Sequence, residues 1–232
     1  MIKKISSKIN EFGYTKIDFI TYGNPTLDES KIINTDASFD HLIKRYSNYE
    51  FPNNSSQDAI KELQYLIKRS TVANNNEELL AEIMLIDKDL LGFLFKSFDD
   101  AKIVYEKKDV EEIITDISPL LLKLKYLHNR VRPYMLADWI GIDLFPRIAI
   151  LQPSFPSNHC FKTKVICEYI RATNTDKEEE INTIIGKVSN SRFILGVSFP
   201  SDTFAAFKIA DNLVADEVFF NKFQKIKKIS DI

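Results

Sequence analysis

Glycine and cysteine are both scarce in this chain: six and two residues among 232. So few glycines leave little material for the many tight turns of an all-β architecture. Two cysteines exclude a disulfide-stapled scaffold. Cys160 and Cys167 are seven apart, and on one helix they would stand roughly 10.5 Å apart along the axis, too far to bridge. They read as two buried thiols in a reducing compartment. Only His159 lies near them, so no metal-ligand set is expected there, and no cofactor motif is found. Long apolar runs are also missing. Stretches such as Leu120-Leu121-Leu122 are far too short to span a bilayer, so no membrane insertion is expected. Residues 1–20 start basic but never form an apolar core followed by a small-residue cleavage site, so no secretion signal is expected. A formal net charge of −2 gives no reason to expect nucleic acid or an anionic membrane as partner. A cytoplasmic or assembly-associated protein is the resulting expectation, with a homo-oligomer or an assembly partner left open.

What remains is rich in leucine, isoleucine, lysine and glutamate, a mix that favours helices. The length fits one domain with a terminal extension. Residues 1–48 differ from the rest: a β-prone piece, Lys16 to Tyr22, precedes the turn signal Gly23-Asn24-Pro25 and a polar run. They read as an irregular N-terminal extension packing on a main domain of residues 49–232. Beyond it, Phe51 to Ser56 forms a loop ending in Ser55 or Ser56 as a helix N-cap. Ile60, Leu63, Leu66 and Ile67 then recur at helical spacing. Glu77 to Phe98 is long enough for one or two helices, and Asp109 to Ile117 for a short one. Ser118-Pro119 looks like the start of another helix, running to about Val131 and ended by Pro133. Asn158 to about Ala172, Ile181 to Val188 and Ser201 to Leu213 complete the set. Asn174 to Glu180 reads as a polar connector, and Lys222, Lys225, Lys227 and Lys228 as a solvated tail.

Three segments concentrate chemistry. Lys125 and Arg132, seven apart, would share one helix face and converge on an anion, the arginine with a planar fork and the lysine with a point charge. A solvated basic face is the bland alternative. Pro156-Ser157-Asn158-His159 precedes a helix, where free backbone N–H groups bind phosphate and a serine hydroxyl adds a donor. His159 taken alone could equally be a helix-start histidine with no chemical role. Ser191-Arg192 supplies a second guanidinium. Ser198 and Asp202, four apart, would face each other at a helix start, although Ser198 also fits as an N-cap. His128 falls near the face of Lys125 and Arg132, with a structural role as the simpler reading.

Taken together, these segments resemble the signature of the superfamily of type 2 phosphatidic acid phosphatases, bacterial class A acid phosphatases and vanadium haloperoxidases: K-x6-RP, PSGH, then SR-x5-H-x3-D. The departures are Asn158, in place of glycine, and Ser198, in place of the histidine. The resemblance covers Lys125 to Asp202 and looks most like the soluble branch. It implies an all-α helical bundle of the soluble acid phosphatase type. Lys125, Arg132, Ser157, Asn158 and Arg192 would bind phosphate or a phosphomonoester. His159 would be the general acid, Ser198 would sit at the nucleophile position, and Asp202 would orient it. Because the family reacts through a phosphohistidine, Ser198 implies a phosphatase-like domain whose hydrolysis is lost or strongly impaired. The alternatives are an active phosphomonoesterase with an altered or engineered nucleophile position, and a non-catalytic structural or interaction protein such as a phage component.

Overall fold

The computed structural model describes residues 14–73, 76–142, 144, 148 and 150–224. Every regular element among them is a helix, so the fold is all-α, as the composition and periodicity implied. In chain order they are α1 (Tyr14–Asp18), α2 (Leu27–Ile33), α3 (His41–Tyr46), α4 (Gln57–Ala73), α5 (Glu77–Lys88), α6 (Leu90–Asp100), α7 (Lys107–His128), α8 (Pro133–Trp139), α9 (Asn158–Arg171), α10 (Glu178–Ile194), α11 (Pro200–Val214) and α12 (Glu217–Phe219). A π-helical turn, Phe220–Gln224, follows the last of these. No described helix is long and apolar enough to cross a membrane.

The main core forms where α7, α9, α10 and α11 meet. From α7 it takes Val110, Ile113, Ile117, Leu120, Leu121 and Leu124, all buried and recurring at helical spacing. Helix α9 adds Phe161, Val165, Ile166 and Ile170, and α11 adds Ala206, Ile209, Ala210 and Leu213. Helices α9 and α11 make the most extensive pairing in the molecule, helped by the small alanines of α11 that let the backbones approach. Cys160 and Cys167 are both free and buried in this core, and burial pushes the Cys167 thiol up to about 12. A second apolar cluster joins Ile17 of α1 and Ile60, Leu63, Leu66 and Ile67 of α4 to Leu136, Ile140 and Phe199.

Local chemistry explains most helix boundaries. Ser56 accepts the Ala59 N–H and starts α4. Asp89 ends α5 and caps α6, accepting the Gly92 N–H, so Glu77 to Phe98 forms two helices. Thr26 and Glu29 form a reciprocal capping box on α2.

Four expectations are corrected. Lys16 to Tyr22 is not a strand: Lys16, Ile17 and Asp18 close α1, with one isolated bridge from Thr21 to Arg130. Ile17 is drawn into the apolar cluster, and the Asn54 side-chain amide donates to the Ile17 and Ile20 carbonyls. Tertiary contacts thus override β-propensity. Ser118-Pro119 does not start a helix but lies inside the 22-residue α7. Pro119 removes one ladder bond, yet the apolar face on either side of it is buried without a break, and that burial holds the helix together. Helix α7 then ends at His128, with Asn129 in the left-handed region at φ 47° and its N–H on the Lys125 carbonyl. Lys125 and Arg132 therefore do not share a helix face. Finally, the segment expected at Ile181 to Val188 extends over Glu178–Ile194 and includes Ser191 and Arg192. Lys225, Lys227 and Lys228 lie outside the described residues, while Lys222 pairs with Asp116.

Of the expected N-terminal extension, residues 1–13 lie outside the described residues; residues 14–48 are helical in part, and Phe39, Leu42 and Tyr46 belong to the main core. The polar connector at Asn174 is anchored by its own side chain, which bonds to Val104 on both amide and carbonyl.

Candidate functional site

Three turns deliver the polar residues to one place. The first follows α7. Asn129 reverses the chain, and Arg132 becomes the N-cap residue of α8, with Pro133 at the first helical position. The second precedes α9, where a cis Phe155-Pro156 bond leads into Ser157 as the N-cap residue. The third ends α10 with Gly196 at φ 64°. Its N–H bonds to the Phe193 carbonyl, and the Val197 N–H bonds to the Arg192 carbonyl. This is a Schellman turn, whose left-handed position favours glycine. A Cβ at Gly196 would also meet the Leu144 side chain at 2.5 Å.

Between these turns lies a small cavity of about 40 Å³, lined by Arg132, Ser157, Asn158, His159, Arg192 and Ser198, with Ile150, Gln152 and Val197 completing the wall. That exceeds the roughly 10–15 Å³ one water needs. Six of the eight residues singled out in the sequence are thus brought together. Lys125 and Asp202 are not part of its lining, and Lys125 lines the larger neighbouring cavity instead.

Each cation is held differently. Arg132, 4% exposed, donates from Nε to the Gln152 carbonyl at 2.7 Å and from Nη1 to the Val197 carbonyl at 2.6 Å. Among the described residues no carboxylate hydrogen-bonds to it, and burial lowers its pKa to about 10. Arg192, 2% exposed, donates from Nη1 to Asp87 at 2.6 Å and from Nε to the Ser191 hydroxyl at 3.1 Å. Its Nη2 is buried with no hydrogen-bond partner among the described residues. Lys125 is fully buried, and its Nζ donates to the carbonyls of Pro153 and Pro156 at 2.8 Å each. It fixes the turn that precedes α9, and burial, helped by Arg132, holds its pKa well below the usual lysine range.

His159 lies in the first turn of α9. Burial first, then the nearby Arg192 charge, hold its imidazole well below the usual histidine range, against a hydrogen bond with the Asp87 backbone. Its neutral form is therefore favoured. Asn158 opens α9 in ordinary helical conformation and is not among the residues with positive φ. Ser157 and Ser198 touch, with the Ser198 hydroxyl donating to Ser157 Oγ at 3.3 Å.

Asp202 is completely buried. Its Oδ1 accepts from Arg130 Nη1 at 2.6 Å, while its Oδ2 accepts the Ser154 hydroxyl at 2.5 Å and the Phe199 N–H at 2.8 Å. Phe199, not Ser198, is the N-cap residue of α11, and Asp202 reaches back from the first turn to its N–H. The N-cap reading of Ser198 is corrected on this ground. The Ser198 hydroxyl and the Asp202 carboxylate have separate partners, so no hydrogen bond couples them.

Sequence reasoning missed the residues that support this arrangement. Arg130, 3% exposed, bonds to Asp202, Ser201 and Glu62 and lies between the rings of Phe51 and Phe199, its Cζ 4.5 Å and 4.2 Å from their centroids. Glu62 of α4 also accepts the Ser201 N–H and hydroxyl, and its pKa is raised by burial. Asp87 of α5 anchors Arg192. Arg130, two residues before Arg132, was the one signal visible in the sequence. His128 is structural: its Nε2 bonds to the Tyr46 carbonyl at 2.8 Å, and its ring packs on Phe51 and Phe155.

Among the described residues, no cluster of three or more histidine, cysteine, aspartate or glutamate side chains is placed to hold a metal ion. Comparison of the chain with protein-family models and with curated proteins gave no match.

Proposed function

We propose that the cavity is an oxyanion pocket of the phosphatase kind, binding phosphate or a phosphomonoester, and that its hydrolytic chemistry is lost or strongly impaired. The observation that carries this reading is Arg192 Nη2, a guanidinium nitrogen buried without a partner on a side chain that lines the cavity. Leaving such a donor unsatisfied costs about 1–3 kcal/mol, more for a charged group, and an anion in the cavity would relieve it. Arg132 adds a second buried cation bonded only to carbonyls. The start of the 14-residue α9 adds unpaired backbone donors and the positive end of its dipole.

The same geometry argues against turnover. A serine hydroxyl attacks phosphorus only when a base takes its proton. Asp202, the carboxylate expected to orient Ser198, is occupied by Arg130, Ser154 and the Phe199 amide. Loss of the nucleophile from a cooperating set costs on the order of 10⁶-fold in rate. Burial first, and then the Arg192 charge, favour the neutral form of the His159 ring, which weakens it as a general acid.

Calorimetric titration with inorganic phosphate, paired with a p-nitrophenyl phosphate assay, tests both halves. Phosphate binding without turnover is the expected result. Strong turnover by the unaltered chain would overturn the silenced reading, and absence of phosphate binding would overturn the pocket.

A further inference from the structure

A second, larger cavity of about 400 Å³ adjoins the anion cavity and shares Gln152 and Asn158 with it as walls. That volume lies in the range of small-molecule sites, roughly 300–1,000 Å³. One side is apolar, built from Pro119, Leu121 and Leu122 of α7 and from Ile32 of α2. Lys162, one helical turn into α9, also lines it. Its ammonium forms no hydrogen bond or ion pair with any described residue, although it is partly buried. Its charge nevertheless reaches both Lys125 and His159, lowering the pKa of each. Glu29, the one carboxylate in the lining, is committed elsewhere. It accepts from Tyr126 at 2.8 Å, from Gln152 at 3.1 Å and from the Thr26 N–H and hydroxyl at 2.9 Å each.

A partly buried ammonium with no counter-ion is costly unless something pairs with it. Here it stands at the junction of an apolar chamber and a pocket already short of negative charge. We propose that the chamber holds the organic part of the ligand and that Lys162 binds a second acidic group on it. The ligand class is then a phosphomonoester carrying a carboxylate or a second phosphate on a short spacer, rather than a simple alkyl phosphate. This assignment rests on the oxyanion reading of the smaller cavity. Lys162 sets specificity in it, and Arg132 and Arg192 hold the first anion.

Non-hydrolysable phosphonates test the assignment whether or not the protein has turnover. Propylphosphonate, 3-phosphonopropionate and ethane-1,2-bisphosphonate are titrated calorimetrically into the unaltered chain and into Lys162→Met, with inorganic phosphate as reference. The two doubly anionic ligands are expected to bind about ten-fold or more tighter than propylphosphonate, as one added charge-assisted hydrogen bond implies. In Lys162→Met that advantage disappears while phosphate affinity holds within about two-fold. The carboxylate and bisphosphonate arms show which second anion fits better. Phosphate binding with no discrimination between mono- and dianionic ligands, or discrimination that survives in Lys162→Met, would overturn the assignment and leave the anion pocket standing. Absence of phosphate binding as well would overturn both.

Discussion

Two buried arginines, Arg130 and Arg192, are accommodated by opposite means. Arg130 meets two carboxylates, Glu62 and Asp202, and two aromatic faces, Phe51 and Phe199. Its Nε is unpartnered, but the guanidinium as a whole is matched by more negative charge than it carries. Arg192 meets one carboxylate, Asp87, whose side chain is 20% exposed. Its buried Nη2, unpartnered among the described residues, belongs to a side chain on a cavity wall, which also carries Arg132, bonded there to carbonyls. Buried charges persist when they are paired. The first arginine is paired within the fold, tying α4 to the start of α11; the second is the one that the proposed function assigns to a bound anion.

That contrast is broken most severely at Arg130. Arg130→Met removes the cation from between Glu62 and Asp202 and leaves a half-buried and a fully buried carboxylate uncompensated. Breaking a buried pair in this way costs about 3–5 kcal/mol, so urea unfolding should show a loss of that size. A loss under about 1 kcal/mol would mean that the cluster is not what holds the α11 start in place. Arg192→Ala should instead act on binding. Phosphate affinity falls by about ten- to a hundred-fold, the size of a charge-assisted hydrogen bond, while stability changes less than in Arg130→Met because water can reach Asp87. An equal loss of stability in both variants would erase the distinction between a structural and a ligand-directed arginine.

A pH series sharpens the comparison further. His128 and His159 both have pKa values lowered by burial, so each binds its proton more readily in the unfolded chain. Their contribution to stability is therefore present above the unfolded value, about 6.5, and is lost as pH falls through it toward the folded value. The melting temperature should drop between pH 7 and pH 5, and His159→Gln should flatten that drop in part. Added phosphate should also reduce it, because an anion in the cavity favours the protonated ring. A slope indifferent to phosphate would place His159 away from the bound ion. The smallest effect is expected for Ser198→Ala. The hydroxyl makes one 3.3 Å bond to Ser157, so stability should change by less than about 1 kcal/mol and phosphate should still bind.

The parts legible in the sequence were those carried by local chemistry. The all-helical fold followed from leucine and isoleucine periodicity, the α4 start from Ser56 and the α9 start from Pro156-Ser157. Arg132, Ser157, His159, Arg192 and Ser198 could be grouped because three short segments carry them in recognisable order. Their supports were hidden because contacts made far along the chain supply them. Glu62 and Asp87 lie in unremarkable helical stretches, and only the packing of α4 and α5 on α10 brings them to Ser201 and Arg192. Asp202 looked like a partner for Ser198 by spacing alone. The Arg130 and Ser154 side chains, approaching from two other turns, decide its actual bonds. Pro119 misled for the same reason, since local punctuation lost to a continuous buried face.

The most direct test of the account is where an oxyanion binds. Crystals of the unaltered chain soaked in tungstate or vanadate would locate it by anomalous scattering. The account predicts one strong site in the cavity, with anion oxygens within hydrogen-bond distance of Arg192 Nη2 and Arg132. An empty cavity, with the ion bound only elsewhere on the surface, would contradict it.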